Sequence, residues 1–220
     1  MEQDIELSSL VIDSTSAIGI TLEPHQVEKF LTYLKQLLLW NQTINLTGIS
    51  DERGIIIKHF VDSLAALRAE SFGQRSHVLD IGTGAGFPGI PLRIVRPDLL
   101  LTLVEPAKKK ASFLHFLVGL LHLEQVKIFE GTLEQFIENE LSGELFDYVT
   151  TRALTHDLIL RKCSRLLKEK TGKAIFYLTK SLSNIQSGAE FSLVNEYVFE
   201  LPDGFGQRVI SVLAVSKNHH

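Results

Sequence analysis

The chain has 220 residues, 45% hydrophobic and 22% charged, with a formal net charge of −4, a composition that leaves room for a substantial core. Its single cysteine, Cys163, excludes a disulfide framework and any cysteine-rich metal site, and fits a reducing compartment. The acidic start Met1-Glu2-Gln3-Asp4-Ile5-Glu6 lacks the basic-then-apolar plan of a signal peptide, and the longest apolar runs are too short for a bilayer, so the expected setting is the cytoplasm with no membrane partner.

Residues 1–72 carry helical periodicity and are expected to form an N-terminal helical cap packed on a main domain over 73–218. Thr21 and Glu23-Pro24 mark a helix start, after which Val27, Phe30, Leu31, Leu34, Leu37 and Leu38 recur at helical spacing. A loop around Asn45-Leu46-Thr47-Gly48 leads to a second helix over Ile55–Arg68. From His77 onward strands and helices alternate. Strands are expected over 77–81, 99–104, 126–129, 146–149 and 173–178, with a last pair near 192–201 and 207–216. Helices are expected after Pro88 and over 108–122, 133–140 and 157–168. Such alternation indicates a mainly parallel sheet covered on both faces. The last two strands leave no room for a helix between them, so one of them should run antiparallel.

The run from Asp80 to Pro91 joins the first of these strands to its helix through four glycines, Gly82, Gly84, Gly86 and Gly89. A strand, glycine loop and helix bring bare backbone N–H groups and the positive end of a helix dipole into one concavity. A nicotinamide fingerprint would need a glycine where Phe87 stands. The pattern present, Asp80-x-Gly82-x-Gly84-x-Gly86, resembles motif I of S-adenosylmethionine-dependent methyltransferases, in which a strand-end carboxylate suits a cofactor carrying an ammonium and a sulfonium. Glu105 ends the next strand before Pro106, where a doubly wound sheet presents the acid that bonds ribose hydroxyls. The cations cluster at Arg93-Arg96, Lys108–Lys110 and Arg161–Lys168, so a local patch can meet phosphates although the net charge is negative.

Several motifs in chain order make the resemblance specific: Asn45-Leu46-Thr47, His59-Phe60-Val61-Asp62-Ser63, Phe87-Pro88-Gly89-Ile90-Pro91 behind motif I, Glu105-Pro106-Ala107-Lys108-Lys109-Lys110, Thr151-Arg152-Ala153, and Lys180. With these the chain resembles the RsmG (GidB, glucose-inhibited division protein B) family of bacterial small-subunit ribosomal RNA methyltransferases. The resemblance implies an α/β, Rossmann-like, seven-stranded methyltransferase fold. It also implies methyl transfer from S-adenosylmethionine to N7 of one guanine in the decoding-region 530 loop of 16S ribosomal RNA, forming 7-methylguanosine. The partner would be 16S ribosomal RNA or the small ribosomal subunit, and the protein a monomer.

By the same resemblance Asp80, Gly82, Gly84, Gly86, Phe87, Glu105, Leu133, Glu134 and Arg152 would hold the cofactor. Arg152 would also act in positioning with Asn45 and His59, while Lys108, Lys109, Lys180 and Arg208 would meet the RNA. One departure is visible: the family commonly carries an arginine just before the Leu133-Glu134 position, and this chain has Gly131-Thr132 there. Asn45 and Thr47 also fit a plain interhelix turn, and His59 with Asp62 a surface pair at helical spacing.

The residue types narrow the chemistry. Methylation of pyrimidine C5 needs a cysteine nucleophile, and Cys163 falls on an expected helix away from the strand ends. Exocyclic-amine methylation usually shows an Asn/Asp-Pro-Pro-aromatic motif after the fourth strand, where this chain has Tyr148-Val149-Thr150-Thr151-Arg152. Guanine N7 has a free lone pair and needs no base, so orientation alone can carry the step, and no metal is expected. The competing readings are a same-fold methyltransferase acting on a small molecule or protein, and a non-catalytic nucleotide-binding protein.

Overall fold

The computed structural model describes residues 2–140, 145–152, 162, 164–182 and 191–215. Seven strands form one sheet: β1 (His77–Ile81), β2 (Leu100–Glu105), β3 (Val126–Glu130), β4 (Tyr148–Thr151), β5 (Lys173–Leu178), β6 (Phe191–Glu200) and β7 (Gln207–Val215). Their spatial order is β3-β2-β1-β4-β5-β7-β6. The first five run parallel, and β7 is antiparallel to both β5 and β6. The expected reversal in the last pair is therefore present, and it turns the N-terminus of β7 toward the carboxyl ends of the parallel strands. Strand order reverses between β1 and β4, the position at which open sheets of this kind leave a ligand crevice.

Alternation along the strands separates two cores. Val78, Tyr148, Ile175 and Tyr177 point to one face, where they join the N-terminal helices in a single apolar cluster; Leu79, Val149, Ala174 and Phe176 point to the other, against Leu133 and Phe136. The N-terminal region begins with α1 (Glu2–Ala17), of which only Val11, Ser14 and Thr15 are buried, so no apolar stripe marks it in the sequence. Next comes α2 (Pro24–Asn41), capped by Glu23 and Gln26 in a reciprocal box and turning Val27, Phe30, Tyr33, Leu34 and Leu37 inward. It is tied to the sheet domain by hydrogen bonds from Gln26 Nε2 to the carbonyls of Ile94 and Val95, both 3.2 Å, and from Tyr33 Oη to Ala85 O, 2.6 Å.

The helix expected over Ile55–Arg68 is interrupted. It consists of α3 (Glu52–Ile55), a six-residue π-helix (Ile56–Val61), α4 (Asp62–Leu64) and α5 (Ala66–Ala69). Ile55, Ile56, Ile57, Phe60, Val61 and Leu64 are all fully buried, while His59, Asp62 and Ser63 carry the polar side chains that meet Arg152. Three helices flank the parallel strands: α6 (Gly89–Val95), α7 (Lys108–Leu120) and α8 (Leu133–Glu140). Strand β4 lies two residues later than expected because Phe146 pairs with Leu167 outside the sheet and Asp147 holds His77 N through its carboxylate. Half of the helix expected over 157–168, with Cys163, lies outside the described residues, as does Ala153; the described stretch 164–168 is a turn leading to the Leu167 bridge and not helix, because Leu167 pairs with Phe146.

Candidate active site

The carboxyl end of β1 feeds the Gly82–Pro88 loop. Gly84 has φ +63°, and a side chain there would meet nothing within 4 Å, so the loop offers bare backbone to open space. Gly86 is constrained from the opposite side. Its φ is +107°, and a Cβ would come within 2.6 Å of Ile90 Cδ1 and 2.8 Å of Tyr33 Oη.

Asp80 supports this loop from beneath. It is 0% exposed, and its Oδ2 accepts from Gly89 N at 2.8 Å and Thr83 Oγ1 at 2.6 Å, while Oδ1 accepts from Thr150 Oγ1 at 3.2 Å. Burial pushes its pKa up to about 6 against the opposing pull of those donors. Asp80 thus faces the loop's interior, and the first amide of α6 is bonded to its carboxylate. Glu105, 5% exposed, accepts from Gly84 N at 2.8 Å and Ala107 N at 2.9 Å, which sets its carboxylate at the mouth of the crevice between the ends of β1 and β2. Each carboxylate oxygen can accept a second donor.

Phe87 joins the loop to the cap. Its ring stacks on Tyr33 (5.2 Å, 9°) and on His59 (4.6 Å, 16°), and the Arg152 guanidinium lies 5.7 Å from its centre. His59 sits on the π-helix, with Nε2 2.7 Å from Thr47 Oγ1 and Nδ1 3.1 Å from Arg152 Nη2. Burial, and then the Arg152 charge, bring the His59 pKa down to about 3, so the imidazole is neutral at physiological pH.

Arg152, at the end of β4, reaches into the cap: its hydrogen bonds among the described residues go to Lys58 O, His59 O, His59 Nδ1 and Ser63 Oγ. It thus ties β4 to the backbone and side chains of the π-helix and of Ser63, a role not legible in Thr151-Arg152-Ala153 as a motif. Asp62 lies between Arg152 (3.6 Å) and Arg208 (3.7 Å), 4% exposed and with Oδ1 lacking a hydrogen-bond partner among the described residues. Burial raises its pKa while the two arginines lower it. The surface-pair reading of His59 and Asp62 is overturned, since both are enclosed.

The other expected residues divide into two groups. Lys108, Lys109 and Lys180 are exposed at the carboxyl ends of β2 and β5, and Arg208 joins that rim because β7 is reversed. Asn45 is exposed on the loop between α2 and α3. Leu133 is buried in the second core, and Glu134 is exposed and paired with Lys162, so neither side chain lines the crevice in this arrangement. At the departure from the family pattern, Thr132 caps α8: Gln135 N donates to Thr132 Oγ1 at 3.3 Å and Thr132 N to Gln135 Oε1 at 2.9 Å. Motif reading missed Tyr33 and Asn41, and it quoted Asp62 without giving it a role at the site. The Asn41 side chain accepts from Leu46 N and Thr47 N and donates to Thr47 O, pinning the Asn45–Thr47 loop. An asparagine at a helix end is the only signal that could have flagged it.

Among solved structures, the fold is similar to that of a ribosomal protein methylase from Lactobacillus delbrueckii subsp. bulgaricus, with a TM-score of 0.56 at 13% identity over 73% of this chain and 79% of that one. Together with the reversed β7 and the glycine loop after β1, this defines the class: a Rossmann-like, methyltransferase-type α/β fold. The model of the family described as rRNA small subunit methyltransferase G matches residues 26–200, and the chain belongs to that family. Relatives named ribosomal RNA small subunit methyltransferase G include one from Caldanaerobacter subterraneus subsp. tengcongensis, 45% identical over 66% of this chain, and one from Staphylococcus haemolyticus, 34% identical over 89% of this chain and 84% of its own length. In the Caldanaerobacter match, and in two others, the chain spans 61–65% of the relative's length.

Proposed function

We propose that this protein transfers the methyl group of S-adenosylmethionine to N7 of a single guanine in the 530 loop of 16S ribosomal RNA, in the decoding region of the small subunit. The observation that carries the reading is a strand-end crevice, formed by the Gly82–Phe87 loop and Glu105, beside a histidine that is neutral and engaged at both nitrogens. Among the described residues such a site presents no free base at its wall, and N7 requires none. The family to which the chain belongs, and the names of its relatives, support the same assignment.

The donor set fits the cofactor: the Glu105 carboxyl with acceptor capacity left for ribose hydroxyls, and the open backbone at Gly84. When bound, S-adenosylmethionine supplies an electrophilic methyl on a sulfonium. The chain's residues then orient and exclude. Phe87, Tyr33 and His59 form a stacked wall that keeps water from one side of the crevice, and Arg152 locks the cap to β4 so that this wall stays in register with the loop. Attack by the N7 lone pair would need no proton to be taken up or released, so these residues have only to hold the base in line. Lys108, Lys109, Lys180 and Arg208 on the rim meet RNA phosphates, and Arg208 is steered by Asp62. We take the protein to act as a monomer in the cytoplasm, where small subunits are assembled. No helix among the described residues is long and apolar enough to cross a membrane.

The test is methyl transfer from labelled S-adenosylmethionine to small subunits and to their naked RNA, with the product mapped by mass spectrometry. 7-Methylguanosine at one decoding-region position is the expected result. Transfer only to a small molecule or a protein, or cofactor binding without transfer, would favour the competing readings.

A further inference from the structure

Thr47 occupies an unusual position in the hydrogen-bond chain that runs from β4 to the cap. Arg152 can only donate, so the His59 Nδ1 it faces at 3.1 Å must be an acceptor. The imidazole is neutral, hence its one proton is on Nε2 and is donated to Thr47 Oγ1 at 2.7 Å. Thr47 Oγ1 also accepts from Ile49 N at 3.2 Å. Both lone pairs of the hydroxyl are then in use, and its own proton meets no acceptor among the described residues. The backbone on either side cannot turn it away, because Asn41 holds Thr47 N and Thr47 O at 3.0 Å each.

The result is a half-buried hydroxyl forced to be a donor. It meets the edge of the His59 ring whose face is stacked on Phe87 of the glycine loop, with exposed Asn45 two residues before it. A purine that turns N7 toward the glycine loop presents its 6-substituent on the same edge: a carbonyl acceptor in guanine, an amino donor in adenine.

We propose that the Thr47 hydroxyl donates a hydrogen bond to O6 of the target guanine and thereby makes the site select guanine over adenine, with Arg152 and His59 acting as positioning residues that fix the direction of that bond. The inference rests on the guanine-N7 reading above. A bond to O6 does not favour the positive charge that N7 attack brings to the ring, so the contribution is recognition and alignment rather than transition-state charge stabilisation. The same proton accounting excludes Thr47 as a base, since its lone pairs are occupied.

The experiment is single-turnover methylation of small subunits reconstituted with RNA carrying either guanine or 2-aminopurine at the target position; 2-aminopurine keeps N7 and lacks O6. Thr47→Val is expected to slow transfer to guanine by about tenfold, the usual scale of one directed hydrogen bond, with less than a twofold effect on 2-aminopurine. Thr47→Ser restores the guanine rate. A valine loss of equal size on both RNAs would mean a merely structural residue and would overturn the assignment. Independently of any variant, 15N NMR of the wild-type protein should show the His59 proton on Nε2; a proton on Nδ1 overturns the relay. Failure of the wild-type protein to form 7-methylguanosine would remove the functional reading itself, an outcome separate from loss of the Thr47 discrimination.

Discussion

Two buried carboxylates lie on either side of the crevice, and they are neutralised in opposite ways. Asp80 in the sheet domain receives three short hydrogen bonds from neutral donors, all within its own loop and the adjacent β4. Asp62 in the cap is almost as enclosed, yet it is balanced only by two guanidinium groups at 3.6 and 3.7 Å, and one of its oxygens has no hydrogen bond among the described residues. A carboxylate saturated by fixed neutral dipoles builds a rigid loop. One balanced by guanidinium groups instead sets where those groups point. On the proposed function the first arrangement would support the cofactor loop and the second the RNA-facing rim, and the difference is open to test.

The largest effect is expected at the link between the two regions. Arg152→Ala leaves Asp62 buried with only Arg208 near it and uncovers the carbonyls of Lys58 and His59, so it should cost about 3–5 kcal/mol in chemical denaturation. Arg152→Lys should recover only a fraction, because one ammonium cannot reproduce a fork that reaches a carbonyl, a ring nitrogen and a hydroxyl. Stability within 1 kcal/mol of wild type for the alanine variant would break the comparison, since the cap would then be held without it.

Asp80 comes next. Asp80→Ala strands the buried Gly89 amide and should cost about 3 kcal/mol. Asp80→Asn should be much milder, because the amide oxygen can still accept from Gly89 and Thr83 while its NH₂ donates to Thr150. The wild-type pH dependence sharpens this. The folded pKa, about 6, lies above the ordinary 3.8, so between these values the native state binds more protons than the unfolded one, and stability falls as pH rises through that window. The fall attributable to this group is about 3 kcal/mol, complete above pH 6, and Asp80→Asn should abolish it. Identical pH profiles for the two proteins would show that Asp80 is not the titrating group.

Asp62→Asn should behave differently from either Asp80 variant. Its stability should remain within about 1 kcal/mol of wild type, because the neutral amide relieves a desolvated charge, while methyl transfer falls on the order of tenfold as the two arginines lose their common guide. A melt as damaging as that of Asp80→Ala would erase the distinction drawn here. The smallest expected change is at Arg208→Ala, where the slope of log affinity for RNA against log salt should decrease by about one, with little effect on S-adenosylmethionine binding measured by calorimetry.

The sequence was most informative where one local pattern implies one structure. Alternating strands and helices, the absence of a helix before the last strand, and the glycines after β1 all follow from short-range sterics and periodicity, and each appears in the fold as expected. Glu105 was equally legible, because a strand end next to a proline leaves little doubt about which way the chain turns. The π-helix was not legible: its apolar residues recur at spacings that also match an ordinary buried helix, and nothing in the local pattern marks the wider turn. Leu133 and Glu134 were assigned to the cofactor by resemblance, whereas packing sends one into the core and pairs the other with Lys162.

What the sequence determined by itself is therefore the class of fold, the position of the cofactor loop and the family. These are set by backbone requirements confined to a few neighbouring residues. What only the tertiary structure decided is the direction of the polar groups: Asp80 turned inward, Arg152 turned into the cap, Asp62 shared between Arg152 and Arg208, and Thr47 left with one proton to give. Asp80 has local partners in Thr83 and Gly89 and one distant partner in Thr150, whereas the other three depend on partners roughly twelve to one hundred and fifty residues away, brought within hydrogen-bond or ion-pair reach by the docking of the cap and the reversal of β7. Hydrogen-bond direction is a property of the whole network, and no local spacing encodes it.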